Sequence, residues 1–185
     1  KIFIDNELTQ ICKRFPNLKI TLEHIITKYA VQFVNNAKRN LKASITPHHL
    51  ILNRSDMLEH TIKPHYYCLP ILKREEDRKA LVKVALSGNE KFFLGTDSAP
   101  HTLSAKETEC GCAGIFNTIN SLQTLTQLFD DNNKLELLEK FVSINGAIHY
   151  GMPLNTEIIT LNKQRNPLKF SKYLVIEKNK IKIFQ

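Results

Sequence analysis

No apolar run in this 185-residue chain approaches the roughly 20 residues a bilayer-spanning helix needs, so no membrane span is expected. An N-terminus carrying Lys1, Asp5 and Glu7 lacks a signal-peptide layout. There is no initiating Met, and the first residues read as the middle of something longer. Internal repeats and low-complexity segments are absent too. The four cysteines, Cys12, Cys68, Cys110 and Cys112, lack the spacing of a disulfide framework, which points to a reducing compartment and a cytoplasmic location. Cys110 and Cys112 in ECGCAG would make half a zinc site, but a structural site has a second such knuckle and none is present. Lys and Arg exceed Asp and Glu, 26 to 18, which permits polyanion binding. The basic residues form no run of about five and are not interleaved with aromatics, so a solvated Lys-rich surface is expected, with no nucleic-acid partner.

What is present is a hydrophobic share of 42%, enough for one globular domain with a sizeable core. The organising stretch is Phe92 to His101, FFLGTDSAPH. Its large apolar residues run into Gly95, Thr96 and Asp97 before Pro100 forbids continuation, as a buried parallel strand ends at a working surface. Asp97 at that end is a candidate for catalysis or metal binding, although Asp before Ser is also ordinary turn chemistry.

Earlier, Leu8 to Phe15 reads as the end of an amphipathic helix, and Leu18 to His24 as a strand with His24 at its C-terminal end. Thr27 to Ala37 has helical spacing, Leu41 to Thr46 is strand-like, and Arg74 to Ser87 is a helix with Glu75, Glu76 and Asp77 in its first turn and Gly88 beyond its end. Leu50 to Pro70 reads as a long irregular connection, the kind that usually has a job. Strands alternating with helices predict an α/β fold with parallel strands and right-handed crossovers. Helices are expected over Phe116 to Asp130 and Leu135 to Val142, and strands over Glu157 to Leu161 and Leu174 to Phe184. Three parallel strands cannot close a barrel of eight, so either the sheet is open or the chain is the later part of a larger one.

The runs TLEHIITK, ITPHHL, KPHYYCLPILKR, FLGTDSAPH and CGCAG, in that order from about Leu18 to Gly151, resemble the bacterial-type dihydroorotases of the zinc-dependent amidohydrolase superfamily. The resemblance implies the C-terminal part of a (β/α)8 TIM-type barrel over residues 1 to 155, with 156 to 185 as a strand-containing extension. It implies two zinc ions per complete site, His24 a ligand of one and Asp97 a ligand of the other. Asp97 would also be the general acid and base, His101 would hold the substrate carboxylate, and the backbones of Leu69 and Ala113 would hydrogen-bond the ring and the carboxylate. Pro70 keeps Leu69 out of a helix, and Gly111 and Gly114 leave the main chain at Ala113 approachable, both of which agree.

The reaction implied is the reversible cyclisation of N-carbamoyl-aspartate to dihydroorotate in pyrimidine synthesis, by an enzyme expected to be a homodimer. The His-x-His pair, the bridging carboxylated lysine, a further histidine and the carboxylate-gripping arginine and asparagine of the family are not in this chain, which alone is expected to be inactive. A non-catalytic scaffold subunit serving a partner such as aspartate transcarbamoylase, another cyclic-amide amidohydrolase and a basic nucleic-acid module are the competing readings. The retained His24, Asp97 and His101 speak against a scaffold.

Overall fold

A computed structural model describes residues 1–166 and 171–184. Its centre is a parallel sheet in the order β1 (Ile20–Leu22), β2 (Leu41–Ile45), β3 (Phe92–Leu94), the order and direction the sequence predicts. All five residues of β2 are buried, and a strand covered on both faces must sit between neighbours. The register pairs Thr21 with Lys42, and Ser44 with Phe93. All three C-terminal ends therefore open on one side.

The crossovers cover one face. Helix α2 (Lys28–Asn36) starts at Thr27, whose side chain accepts from Ala30 N–H, and buries Ala30, Val31 and Val34. Helix α5 (Glu75–Ala85) carries three acidic residues at the positive end of its dipole and buries Leu81, Val84 and Ala85. These side chains meet Leu41, Ala43, Ile45 and Phe92 of the sheet, joined by Phe129 and Phe141, to form the main core. A fully buried Leu or Phe there contributes roughly 1.5–3 kcal/mol.

Before β1, a π-helical turn (Ile4–Leu8) leads into α1 (Thr9–Arg14), and the first strand starts at Ile20. Leu50 to Pro70 is more ordered than its composition suggests. It contains the end of α3 (Pro47–Ile51), α4 (Arg54–Leu58) and a 3-10 turn (Pro64–Tyr66). A capping box at α4 explains why so polar a segment holds a helix: Asn53 accepts from Asp56 N–H, and Asp56 accepts from Asn53 N–H.

After β3 come α6 (Leu103–Lys106) and α7 (Ser121–Asp131). Helix α7 starts later than the predicted Phe116, because Ile115 bridges Ser98 and the buried Asn117 bonds to Ser98 and Thr96 before the helix can begin. The predicted Leu135 to Val142 helix is present and longer: it opens as a 3-10 turn (Leu135–Leu137), passes through a π-helical turn (Lys140–Ile144) and continues as α8 (Asn145–Tyr150) until Gly151, at φ 70°, ends it. Its Asn145 donates to Asn89 O and Phe92 O at the start of β3, so α8 lies at the N-terminal end of the sheet.

Two expectations for the C-terminal region need correction. Glu157 to Leu161 forms no strand: Ile158 is 91% and Ile159 73% exposed, and no described residue pairs with them. Leu174 to Phe184 is two strands, β4 (Tyr173–Ile176) and β5 (Asn179–Lys182), folded into an antiparallel hairpin. The hairpin docks on the site side of the molecule, through a bridge from Ile181 to Thr102 and the bond Phe184 N–H to Phe116 O, 2.8 Å.

Candidate active site

His24 lies two residues beyond β1 and Asp97 three beyond β3, and both adopt left-handed backbone, φ 36° and 43°. Such conformations are costly for non-glycine residues and cluster where a fold holds side chains for use. His24 is fixed by its own N–H, which donates to Ser44 Oγ at 2.8 Å, while the next residue's N–H donates to Ser44 O. Gly95 makes this possible, since a Cβ there would lie 2.8 Å from Ser44 Cβ. One intervening strand separates the two strand ends, about 10 Å of backbone at ordinary sheet spacing.

The donor chemistry of the pair suits a zinc ion. His24 Nδ1 is buried with no hydrogen-bond partner among the described residues. Asp97 is exposed, and no described residue hydrogen-bonds or ion-pairs its carboxylate. An imidazole nitrogen and a carboxylate thus lie at one mouth without a partner among the described residues, and both are donor types that a metal ion takes.

The carboxylate and ring contacts expected at Leu69, His101 and Ala113 gather beside this mouth. Leu69 is 60% exposed, precedes a cis bond to Pro70, and neither its N–H nor its C=O bonds to a described residue. His101 Nε2 lies 3.1 Å from Ala113 O, which makes Nε2–H the donor and leaves Nδ1 available. Ala113 N–H has no acceptor among the described residues. The next residue, Gly114, donates to Tyr67 O at 2.9 Å, which ties the 113 segment to the end of the 3-10 turn before Leu69. At φ 149° with Ala99 Cβ only 2.5 Å from a hypothetical Cβ, position 114 admits no side chain.

Three residues that sequence reasoning did not single out organise the site. Ser44 holds His24. Asn117, fully buried, spans strand ends by bonding His48 Nδ1 and Thr96 O, both at 2.9 Å. Lys106, only 3% exposed, donates to three main-chain carbonyls: Tyr67 O at 2.9 Å, Cys112 O at 2.8 Å and Gly114 O at 2.7 Å. Burial pushes its pKa down to about 8, and the three carbonyls favour keeping the proton on. None of the three lies in a motif run, and their side chains carry no sequence signal of their own.

Among the described residues, the group of three ligand-type side chains whose ligand atoms lie within 4.8 Å of one another is His48, His49 and Cys68, a different set from His24 and Asp97. Their chemistry is that of a polar core with one open position, since His48 Nε2, like His24 Nδ1, is buried without a partner among the described residues. His49 has both ring nitrogens paired, to Thr46 Oγ1 and Pro70 O. Burial first, then neighbouring histidines, holds His48 down to about 3, and burial holds His49 down to about 4. Burial also pushes the Cys68 thiol up to about 11, so it stays protonated and a poor ligand. A cavity of about 280 Å³ opens beside the mouth, between the hairpin and the 99–116 loop, with His101, Lys106, His65 and Lys182 among its walls. His24 and Asp97 are not in its walls, whereas His101, Lys106 and Gly114 belong to both the cavity and the mouth.

A family model described as "Amidohydrolase family" matches residues 9–164. A dihydroorotase of Acinetobacter baumannii is 54% identical over 166 residues, 90% of this chain and 48% of that protein. One of Rhizobium meliloti is 47% identical over 183 residues, 99% of this chain and 53% of that protein. The chain thus spans about half the length of the curated relatives it matches. Among solved structures, dihydroorotase from Saccharomyces cerevisiae in complex with 5-fluoroorotic acid superposes with a TM-score of 0.82 at 30% identity, over 96% of this chain and 51% of that one. Dihydroorotase from Campylobacter jejuni gives 0.80 at 33% identity over the same shares, 96% and 51%.

Proposed function

Because the chain belongs to the amidohydrolase family, we propose that it is the later half of a zinc-dependent dihydroorotase, cyclising N-carbamoyl-aspartate to dihydroorotate in pyrimidine synthesis. Residues 1–155 are then the last strands of a (β/α)8 barrel, and 156–185 an extension of the same domain. The observation that carries this reading is the pairing of two left-handed strand-end residues, His24 and Asp97, whose ligand atoms have no described protein partner. The dihydroorotase relatives at 47% and 54% identity supply the substrate class.

His24 would hold one zinc and Asp97 the other, with the remaining donors in the half that the relatives have beyond the match. When bound, the metal supplies Lewis acidity toward the ring carbonyl and lowers the pKa of water. The residues of this chain do the rest. Asp97 takes the proton of the attacking water in ring opening and delivers it to the departing amide nitrogen, and in cyclisation it runs the same transfers in reverse. His101 and the Ala113 N–H receive the substrate carboxylate, and the unpaired main chain of Leu69 receives the ring amide, the contacts a planar orotate-like ligand also needs. Alone the chain is inactive. The complete enzyme works in the cytoplasm as a homodimer on this small substrate, without nucleic acid or membrane.

The test is the full-length protein, assayed for carbamoyl-aspartate cyclisation and for zinc. Two zinc ions per chain and activity abolished by chelation are expected. A zinc-free protein that only binds aspartate transcarbamoylase would establish the scaffold reading instead.

A further inference from the structure

Lys106 takes no part in the proton transfers above, yet it is almost wholly buried with its ammonium on three converging carbonyls. Two of them, Cys112 O and Gly114 O, flank Ala113, and the third, Tyr67 O, belongs to the segment leading to Leu69. The Cys112 carbonyl and the Ala113 N–H are opposite poles of one planar peptide unit, so a cation fixed on the oxygen fixes the direction of the N–H on the other side. It also draws electron density toward the oxygen, which makes that N–H a stronger donor. The N–H so aimed has no acceptor among the described residues. His101 Nε2 on Ala113 O, and Gly114 N–H on Tyr67 O, lock the following peptide in the same arrangement.

We propose that Lys106 is a positioning residue for the substrate carboxylate: its ammonium, seated on Cys112 O, orients and polarises the Ala113 N–H that receives the anion, and ties that loop to the Leu69 segment. The role rests on the dihydroorotase reading and goes beyond it by assigning carboxylate affinity to a residue that never touches substrate. Surface lysines cannot do this, because a solvated ammonium is free to leave its acceptor. The ring of Tyr67, centred 5.9 Å from the ammonium, further favours a cation there.

The experiment uses the full-length enzyme with Lys106→Met, which keeps the stem and removes the charge. KM for carbamoyl-aspartate should rise about 10- to 100-fold, the worth of a charge-assisted hydrogen bond, with kcat within about threefold and zinc content unchanged. An analogue with the α-carboxylate replaced by a carboxamide should discriminate: the wild type loses affinity for it, whereas Lys106→Met turns over both compounds with similar KM. Should Lys106→Met fail to fold, Lys106→Arg carries the same test, since a planar guanidinium keeps the charge but cannot converge on three carbonyls. Unchanged KM in the variant that folds overturns the proposal, and so does an equal rise for the carboxylate and carboxamide compounds, which would mean general loosening. An inactive wild type would overturn the dihydroorotase reading itself, a different outcome from an active wild type whose variants behave normally.

Discussion

Two lysines in this protein each clamp three main-chain carbonyls, at opposite ends of the same sheet. Lys91, at the N-terminal end of β3, donates to Val34 O, Asn35 O and Ala37 O, carbonyls of the last turn of α2 and its cap, of which Val34 O also accepts from Ala37 N–H. Lys106, at the C-terminal end, donates to carbonyls of two loops that no helix obliges to lie together. The first is a helix C-cap that any fold of this kind could use. The second joins two loops in which neither the Leu69 main chain nor the Ala113 N–H has a partner among the described residues. Around Lys91 the polar groups serve the fold: Asn145 bonds Asn89 O and Phe92 O, and Asn89 accepts from Lys91 N–H. At the end of the sheet where Lys106 lies, His24 and Asp97 have left-handed backbone and His24 Nδ1 has no partner among the described residues. Satisfaction at one end and availability at the other separate scaffold from site more clearly than residue type does.

The strongest way to break the comparison is at Asp97. Asp97→Asn in the full-length enzyme keeps the size of an exposed side chain but cannot carry a proton, so turnover should fall by about 1,000-fold with the unfolding midpoint unchanged. Near-normal turnover would remove the mouth's claim to the chemistry. His24→Ala should act on metal instead, lowering zinc content, with partial recovery of activity at high zinc.

His49→Ala probes the opposite assignment, that the His48, His49, Cys68 group is structural although it sits at the functional end. Its removal leaves Pro70 O without its 2.9 Å imidazole partner and a void in a buried region. A loss of about 2–4 kcal/mol of stability is expected, with zinc content as in the wild type. Loss of zinc without loss of stability would make the group a metal centre after all.

How much of this was legible in the sequence differs between the two ends. The parallel strands were readable because branched and aromatic runs alternate with helical spacing, and the candidate residues His24 and Asp97 were readable because they follow those runs directly. Glu157 to Leu161 misled because TEIITL has strand composition but no neighbouring edge to pair with among the described residues. The late start of α7 depends on tertiary bonds of Asn117, and the anchoring of α8 on those of Asn145, neither of which any periodicity records. Lys106 was invisible for the same reason. In the run LSAKET it has the look of a solvated helix-end lysine, and only the return of Cys112 and Gly114 beside Tyr67 buries it.

Acid pH sharpens the comparison without any mutation. His48 and His49 are held neutral when folded, at about 3 and about 4, against about 6.5 in the unfolded chain. The unfolded state therefore binds more protons below pH 6.5, so their contribution is complete above that value and is lost as pH falls through the folded values. Each can contribute a slope of up to about 1.4 kcal/mol per pH unit in that window. Glu75, which Arg78 holds down to about 2, adds a later loss between about 4.5 and 2. Denaturant midpoints measured at pH 7, 5.5 and 4.5 should fall steadily, and His49→Ala should flatten the first part of that fall; an unaltered slope would mean that His49 is not the group protonated on unfolding.

The smallest effect is expected at Lys91 and bears most directly on the contrast of the two clamps. Lys91→Met in the full-length enzyme removes a cation from the C-terminal end of α2, where it bonds three carbonyls and is favoured by the helix dipole. Water can reach much of this half-buried end and replaces part of what is lost, so the expected cost is about 1–2 kcal/mol, read as a lower unfolding midpoint. KM for carbamoyl-aspartate should stay at its wild-type value, because no hydrogen bond of Lys91 reaches the 67–69 or 112–114 segments. Measured beside Lys106→Met, this variant separates loss of a carbonyl clamp as such from loss of the clamp that aims the Ala113 N–H. If both variants raised KM alike, loosening anywhere in the sheet would suffice to weaken carboxylate binding, and the two ends would not differ in function as they do in geometry.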